Sequence, residues 1–471
     1  MPGFAVADLT ALQVLLAGLT KSADRPLVCY RDRWHSGSEV AAKAAQFASQ
    51  MQAAGLRAGQ CVWIIVTDNL SAMQMQIGAW MLGACTLMLD FRSTAHRFAQ
   101  LRDVVPPDLV VCTRRVTAVQ GFNPLLLSGQ SEVFKAGPLP ADLPADYLAT
   151  SGSTGLPKLK KSQQDKLGLQ IGQMPGNGVR GPWGVALSAL SVAYPASRSI
   201  WWRNIAAGIP VIALDLLYNL TELDAALQRP DVEECTLPPS LIRRLAQRYD
   251  GAGPRYPHLK KLQSVGGPAL PADKLLAVRR LTPNYLMTYS STECGVISRI
   301  TGAEVLERPA SCGQPLAGLK VTIHQAGQPC AVGEVGEIAV VCADHVRVLT
   351  GDIGWLDADG YLYVTGRVQG SLCRNGVNFS ADRITQAALM SPSVRDAVVI
   401  ALPGGDGGDQ VHLLLEASPS QEQAIKTMLH QLLPASEQPD QIHFHAKLPC
   451  GPGGKVDGPL LREILTGGLD G

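Results

Sequence analysis

Tyr147-Leu-Ala-Thr-Ser-Gly-Ser-Thr-Gly-Leu-Pro-Lys158 is the stretch on which the reading of the whole chain turns. Gly152 and Gly155 remove side chains where a backbone has to wrap an anion. Ser151, Ser153 and Thr154 supply hydroxyl donors, and Lys158 supplies a cation. A loop of this make-up holds a polyphosphate through several N–H and O–H groups at once. A solvated Ser/Gly linker would explain the composition, but not the strand-like lead-in at Tyr147–Ala149 or the Pro-Lys ending. The G-x-x-x-x-G-K-[ST] pattern is not met either, because Leu156 and Pro157 follow Gly155.

Working outward, the first third of the chain alternates helical and strand patterns. Ser38–Ala54 is Ala-rich with helical spacing, Gly55–Gly59 makes a turn, and Val62–Val66 is a β-branched run of the kind buried in a sheet. Helix is expected over Ser71–Gly83 and Ala95–Val104, and strand over Thr86–Leu89 and Leu109–Cys112. The rhythm returns at Val211–Leu214, Thr221–Leu227, Val265 and Tyr285–Thr288, and predicts parallel sheets covered by helices. After about Gly313 the pattern changes to short strands between Gly, Asp and Pro turns (Val321–His324, Gly336–Val341, Tyr361–Val364), which predicts a small antiparallel barrel or sheet. A compact α+β unit follows Arg367, with strands at Ala397–Ala401, His412–Ala417 and Ile442–Ala446 and a helix at Gln421–Leu433. The glycine-rich Gly404–Gly408 lies between two of these strands and reads as a hairpin turn.

Composition narrows the class. The 471 residues are 46% hydrophobic and 17% charged, enough to bury large cores and too apolar for a disordered chain. Forty-one basic against 40 acidic side chains leave a net charge of +1, which removes the electrostatic case for a nucleic-acid partner. The 11 cysteines form no C-x-x-C and read as free thiols in a reducing compartment. Met1–Leu19 carries Asp8 and lacks a basic start, so an amphipathic helix is expected there, not a signal peptide. The longest uncharged apolar run, Ile77–Leu89, is short of the roughly 20 residues that span a bilayer. A soluble, cytoplasmic protein with no membrane partner is expected. His443 and His445 share a strand face but have no Cys or carboxylate ligand nearby in sequence, and read as two surface histidines.

Thr150–Lys158 resembles the T-S-G-S-T-G-x-P-K loop of the adenylate-forming superfamily, which includes acyl- and aryl-CoA synthetases and nonribosomal adenylation domains. Further segments match in the same order. Ser264-Val-Gly-Gly-Pro-Ala-Leu-Pro271 is similar to S-G-G-A-P-L-P, and Tyr289-Ser-Ser-Thr-Glu293 to Y-G-x-T-E. Gly333–Glu337, Thr350-Gly-Asp352, Asp359-Gly-Tyr361, Gly366-Arg367 and Leu448-Pro449 with Gly454-Lys455 complete the series, so the resemblance runs from about Pro26 to Arg462. It implies an α/β fold: a large N-terminal domain (1–368) of two parallel-type α/β subdomains and a small β-barrel-like subdomain, then a small mobile α+β C-terminal domain (369–471).

The resemblance also implies a chemistry. A carboxylate attacks the α-phosphate of ATP, pyrophosphate leaves, and a thiol of CoA or phosphopantetheine then displaces AMP. Developing charge on oxygen makes positioned donors and Mg²⁺ the expected catalytic groups. By resemblance Thr150, Ser151, Gly152, Ser153, Thr154, Gly155 and Lys158 hold the phosphates, Glu293 holds Mg²⁺, and Thr292 donates to the α-phosphate. Tyr289 offers adenine an aromatic face, Gly267 and Pro268 border the ring edge, Asp352 accepts from the ribose hydroxyls, and Arg367 adds a ribose or phosphate contact. Lys455 bridges the carboxylate and the α-phosphate, Gln369 is the hinge, and Gly376 belongs to the thiol-transfer loop.

The acid would meet Ala193, Tyr194, Ser197, Gly266 and Ser290. Amino-acid-activating relatives place an Asp in the segment matching Ser191–Ser197. None is present here, and an unpaired buried ammonium is costly. An aryl or short acyl acid is therefore expected, with a carrier protein acting in trans as the alternative acceptor to CoA. A stand-alone amino-acid adenylation enzyme and a non-catalytic nucleotide-binding relative are the competing readings. Departures from the family pattern include Leu159, Ser290, Gln369, Ala381, Arg383 and Gly458, which bear on the thiol-transfer step and on substrate choice.

Overall fold

The computed structural model describes residues 9–467 other than 94, 117–122, 129–131, 133, 135–136, 138, 151–157, 174–183, 268, 292–293, 342–346, 369–370, 375–376, 405–408 and 451–455. The α/β architecture expected from the sequence is the one observed. Two compact units divide it, Met1–Thr236 with His258–Lys260, and Leu237–Pro257 with Lys261–Gly471.

The first unit holds two sheets. Its helices are α1 (Ala11–Lys21), α2 (Gly37–Ala53), α3 (Asn69–Met81), α4 (Ala95–Val104), α5 (Gln164–Gln173), α6 (Pro195–Ala207) and α7 (Leu220–Leu227). One sheet is built from β3 (Cys61–Val66), β4 (Cys85–Asp90), β5 (Leu109–Cys112), β6 (Leu125–Leu126), β7 (Pro144–Thr150) and β8 (Lys158–Gln163), in the order β6-β5-β3-β4-β7-β8. All its pairings are parallel except β7–β8. Every residue of β3 and β4 is buried, the pattern of central parallel strands covered on both faces. The other sheet strands are β1 (Pro26–Tyr30), β2 (Arg33–Ser36), β9 (Val185–Ser188), β10 (Val211–Ala213) and β11 (Val232–Leu237), running β11-β9-β10-β1-β2. Helix starts follow local capping chemistry. Ser36 and Glu39 form a reciprocal capping box on α2, and Asp68 accepts from Ser71 N at the start of α3.

In the second unit, β12 (Lys261–Ser264), β13 (Tyr285–Ser291), β14 (Gly295–Thr301) and β15 (Gln314–Pro315) lie side by side, with α8 (Pro239–Arg248), α9 (Pro271–Arg280) and α10 (Gly302–Glu307). An antiparallel sheet follows, in the order β17-β16-β18-β19-β20: β16 (Lys320–Gln325), β17 (Gln328–Pro329), β18 (Gly336–Val341), β19 (Arg347–Leu356) and β20 (Leu362–Arg367). Beyond it come the ribbon β21 (Ser371–Arg374)–β22 (Val377–Ser380), then α11 (Ala381–Leu389), β23 (Asp396–Pro403), β24 (Asp409–Glu416), α12 (Glu422–Leu432), β25 (Gln441–His445) and α13 (Gly458–Leu465). This last segment encloses cores of its own, one around Ile384, Val411, Leu413 and Leu429, the other around Ile400, Leu414, Leu448 and Leu461. Pro403 pairs with Asp409 across antiparallel β23 and β24; the turn expected at Gly404–Gly408 falls, from 405 to 408, outside the described residues.

One expectation is corrected. His443 and His445 are half-buried, and His443 Nε2 lies 3.0 Å from Nδ1 of buried His412, which the parallel β24–β25 pairing brings alongside. Cys29, Cys61, Cys85, Cys112 and Cys235 are buried free thiols, as the sequence suggested. Among the described residues no helix is long and apolar enough to cross a membrane.

Lys274 gives the second unit a measurable pH response. It is buried on α9, its Nζ donating to Ser311 O at 2.8 Å, and burial pulls its pKa down from 10.5 to about 8. Between those values the unfolded chain holds a proton that the folded chain has lost, so stability rises with pH across this window. The gain from pH 7.5 to 9.5 comes to about 2 kcal/mol. Buried thiols with raised pKa values pull the total the other way, so the Lys274 part is read as a difference: from pH 7.5 to 9.5 the unfolding free energy of the parent should change by about 2 kcal/mol more in the stabilising direction than that of Lys274→Met. An equal increment in both would contradict the assignment.

Candidate active site

The best-defined part of the site lies in the second unit, where β13 meets the ladder of β19 and β20. Asp352 and Arg367 are cross-strand partners on β19 and β20. Asp352 is 4% exposed, and its Oδ1 accepts from Arg367 Nε at 2.9 Å. Its Oδ2 accepts from the Tyr289 hydroxyl at 2.6 Å. Thr350 Oγ1 holds the same corner together, accepting from Asp352 N at 3.2 Å and donating to Ile338 O at 3.0 Å. Burial, and then the hydrogen bond to Asp352, push the Tyr289 phenol well above its ordinary pKa, so it stays protonated and donates. Arg367 is largely exposed, leaving the outer part of its guanidinium facing solvent while Nε is fixed. Sequence reading brought these three residues forward separately, and the structure brings them into contact.

The Ser264–Pro271 segment contributes backbone. Gly266 has φ +92°, a left-handed conformation that favours glycine. Gly267 is exposed, and among the described residues a Cβ placed on it would meet Pro239 alone, at 3.8 Å. The described residues therefore leave room beside Gly267 for the edge of a planar ring. Ser290 is exposed, at the register shift that follows Tyr289 in the β13–β14 pairing. Ser380 and Asp382, at the start of α11, lie against Gly366: a Cβ on that glycine would come within 2.6 Å of Ser380 Oγ and 3.8 Å of an Asp382 oxygen. Burial raises the Asp382 pKa and Arg367 offsets part of that rise. Neither residue stood out in the sequence, because nothing in their spacing marks a contact with β20.

In the first unit, the acid segment connects β9 to α6. Ala193 and Tyr194 are half-buried, and Ser197 is buried with its hydroxyl donating to Leu190 O at 2.9 Å. Burial raises the Tyr194 phenol pKa. Ser197 also borders a cavity of about 20 Å³, with Ser188, Trp201, Asn204 and Thr236 in its wall. Both Trp201 and Trp202 are buried; Trp201 Nε1 donates to Ser188 Oγ at 2.7 Å and Trp202 Nε1 to Gln76 Oε1 at 2.8 Å. Asn69, buried on α3, clamps the segment by donating to Leu190 O and accepting from Val192 N, each at 2.9 Å. Asn69 carries no local mark of this role, since its partners are far along the chain.

Thr150 and Lys158 face each other across β7 and β8, which fixes both ends of the glycine-serine motif. Ser151, Gly152, Ser153, Thr154, Gly155, Pro268, Thr292, Glu293, Gln369, Gly376 and Lys455 lie outside the described residues, as do the side chains of Thr150 and Lys158. Among the described residues no cluster of three His, Cys, Asp or Glu is placed to hold a metal.

Residues 17–343 match the family described as AMP-binding enzyme. A 2-succinylbenzoate–CoA ligase of Geobacillus kaustophilus is 25% identical over 466 residues, covering 91% of this chain and 92% of that protein. The fatty acid–[acyl-carrier-protein] ligase ScoC of Streptomyces coeruleorubidus is 25% identical, covering 69% and 68%. Among solved structures, the o-succinylbenzoate coenzyme A synthetase of Bacillus subtilis with ATP and magnesium ion shares the fold, with a TM-score of 0.78 at 19% identity over 95% of this chain and 99% of that one. The chain belongs to the AMP-binding enzyme family. It is an adenylate-forming ligase.

Proposed function

We propose that the chain adenylates an aryl or short acyl carboxylate with ATP, releasing pyrophosphate, and passes the acyl group to the thiol of CoA or of a carrier-protein phosphopantetheine. The observation that carries this reading is the buried Asp352, fixed between the Tyr289 hydroxyl and Arg367 Nε on the second unit. A rigid carboxylate of this kind suits the paired hydroxyls of a ribose, and the space beside Gly267 suits a purine edge. The family motif assigns the triphosphate to Ser151–Lys158 and the adenine face to Tyr289.

In the reaction an oxygen of the acid attacks the α-phosphorus and the bond to the departing pyrophosphate breaks. Negative charge moves outward onto the leaving oxygens, so Lys158 and the hydroxyls of Ser151, Ser153 and Thr154 stabilise the product side. Thr292 donates to the α-phosphate, and Lys455 sits between the attacking carboxylate and that phosphate, orienting one and neutralising the other. Mg²⁺, held by Glu293 and phosphate oxygens, would supply further positive charge to the triphosphate. Residues 369–471 form the C-terminal domain that carries Lys455, with Gln369 as its hinge and the Gly376 loop serving thiol transfer after Lys455 withdraws. The family resemblance assigns the acid to Ala193, Tyr194 and Ser197 on the first unit, and separately to Gly266 and Ser290 on the second. The absence of an acidic side chain across Ser191–Ser197 disfavours an α-amino acid.

The test is pyrophosphate release over a panel of aryl, fatty and amino acids, with and without CoA. Release with aryl or short acyl acids, at rates at least tenfold above the amino acids, is expected. Amino acids alone driving release would overturn the substrate class.

A further inference from the structure

Inside the first unit, β7 and α6 are joined by two charges with no access to water. Asp146 is 0% and Arg198 is 1% exposed. Arg198 Nη2 stands 3.0 Å from Asp146 Oδ2, an ion pair by distance though off the direction of a hydrogen bond. The other carboxylate oxygen accepts from Thr86 Oγ1 at 2.7 Å and Gln76 Nε2 at 3.3 Å. Gln76 in turn accepts from Trp202 on α6, whose ring lies beside the Arg198 guanidinium, 5.7 Å from centroid to carbon. Arg198 Nε and Nη1 have no hydrogen-bond partner among the described residues.

Stability does not account for such a pair. Taking both ions out of water costs several kcal/mol each, and well-packed apolar residues commonly replace a buried pair with no loss or with a gain. Burial works against both charges here, pushing the Asp146 pKa up to about 6 and the Arg198 pKa down. What the pair does have is location. Asp146 precedes Thr150 on the strand that delivers the phosphate motif. Arg198 follows Tyr194 by one helical turn, with Arg198 N bonded to Tyr194 O at 3.0 Å, on the helix that the acid segment opens.

We infer that Asp146 and Arg198 are positioning residues that hold the root of the polyphosphate loop in register with the root of the acid segment. The inference rests on the ligase reading above, in which β7 delivers the nucleotide's phosphates and α6 the acid. Each ligand binds its own element, so slippage between β7 and α6 leaves separate affinities alone. It displaces the attacking oxygen from the α-phosphorus, and a displacement of about 1 Å costs about 100-fold in rate.

The test compares Asp146→Asn, Arg198→Met and the double variant Asp146→Asn/Arg198→Met, which removes both buried charges together. Each single change strands one charge and is expected to lower the melting temperature; the double is expected to recover it. The expected signature of the double variant is normal stability, ATP affinity within threefold of the parent, and adenylate formation slowed about 100-fold. As a readout free of turnover, solid-state ¹³C–³¹P dipolar recoupling reads the distance between the two reacting atoms in protein loaded with α,β-methylene-ATP and carboxyl-¹³C benzoate, 2-succinylbenzoate or hexanoate. The parent should show coupling between the carboxyl carbon and the α-phosphorus, and the double variant should lose it, because the triphosphate is placed through β7 and the acid through α6. A double variant that regains parental rate and parental coupling along with stability would overturn the inference, reducing the pair to core packing. A parent that binds neither the nucleotide analogue nor any of these acids and releases no pyrophosphate with any acid fails differently, removing the ligase reading and this inference with it.

Discussion

Lys455→Ala is expected to slow adenylate formation by at least about 1,000-fold, a barrier increase of about 4 kcal/mol, while the dissociation constant for ATP moves less than threefold. The reason is where the charge appears. On the proposed reading, the Ser151–Lys158 motif holds the triphosphate in the ground state and the acid has its own pocket. Lys455 is needed only as the carboxylate and the α-phosphate, both negative, are brought together. The described residues that flank 451–455 are anchored: Leu448 is fully buried, with its N–H donating to Glu416 Oε2 at 3.1 Å, and Cys450 bridges to Val456. Lys455→Arg should recover little, since a planar guanidinium does not reproduce a compact ammonium placed between two oxygens. Thiol transfer from chemically supplied acyl-AMP should stay within about threefold of the parent, because it begins after Lys455 has finished its part. Single-turnover quench measurements of the two half-reactions decide this. Equal damage to both halves would assign Lys455 a general structural role instead.

Asp352→Ala should produce the opposite pattern, with ATP binding weakened about 30-fold or more. A hydrogen bond to a charged group contributes about 1.5–3 kcal/mol, and a ribose offers two hydroxyls to this carboxylate. The substitution also removes the nearer acceptor of the Tyr289 hydroxyl, leaving it Thr350 Oγ1 at 3.3 Å, and the ion-pair partner of Arg367. A comparison of ATP with 2′-deoxy-ATP separates ligand contact from general loosening. The parent should prefer ATP clearly, and Asp352→Ala should bind the two nucleotides alike. Retained discrimination in the variant would show that another group reads the ribose.

How much of this was visible in the sequence follows the physics of each feature. Val62–Val66 and Thr86–Leu89 could be read because strands buried on both faces are continuous apolar runs. The family was legible in the Ser151–Lys158 motif because donors, glycines and a cation in one short stretch have few other uses. Helix α6 was not legible as a helix. It carries Arg198, Arg203 and Asn204 buried alongside Trp201 and Trp202, so no polar stripe remains to set a 3.6-residue period. Pro195 at its first position and Gly208 at its end, where φ is +70°, were the usable signals. The contacts of Asp352 with Tyr289 and Arg367, of Asn69 with Leu190 and Val192, and of Asp146 with Arg198 depend on register and long-range packing, which a linear pattern does not encode. His412 is the same lesson in small. Reading β25 alone gave His443 and His445 as a surface pair, and only the pairing of β25 with β24 supplied the third histidine. Two-residue strands such as β6 and β15 are too short to show any alternation at all.

On the proposed mechanism a carboxylate oxygen of the substrate becomes bonded to the α-phosphorus of ATP. Supplying the accepted acid with both carboxylate oxygens labelled as ¹⁸O, running the reaction through to thioester and weighing the nucleotide product decides it. AMP is expected to carry one ¹⁸O atom in its phosphoryl group, together with unlabelled pyrophosphate. Label in inorganic phosphate with ADP as the nucleotide product, or AMP free of label, would contradict it.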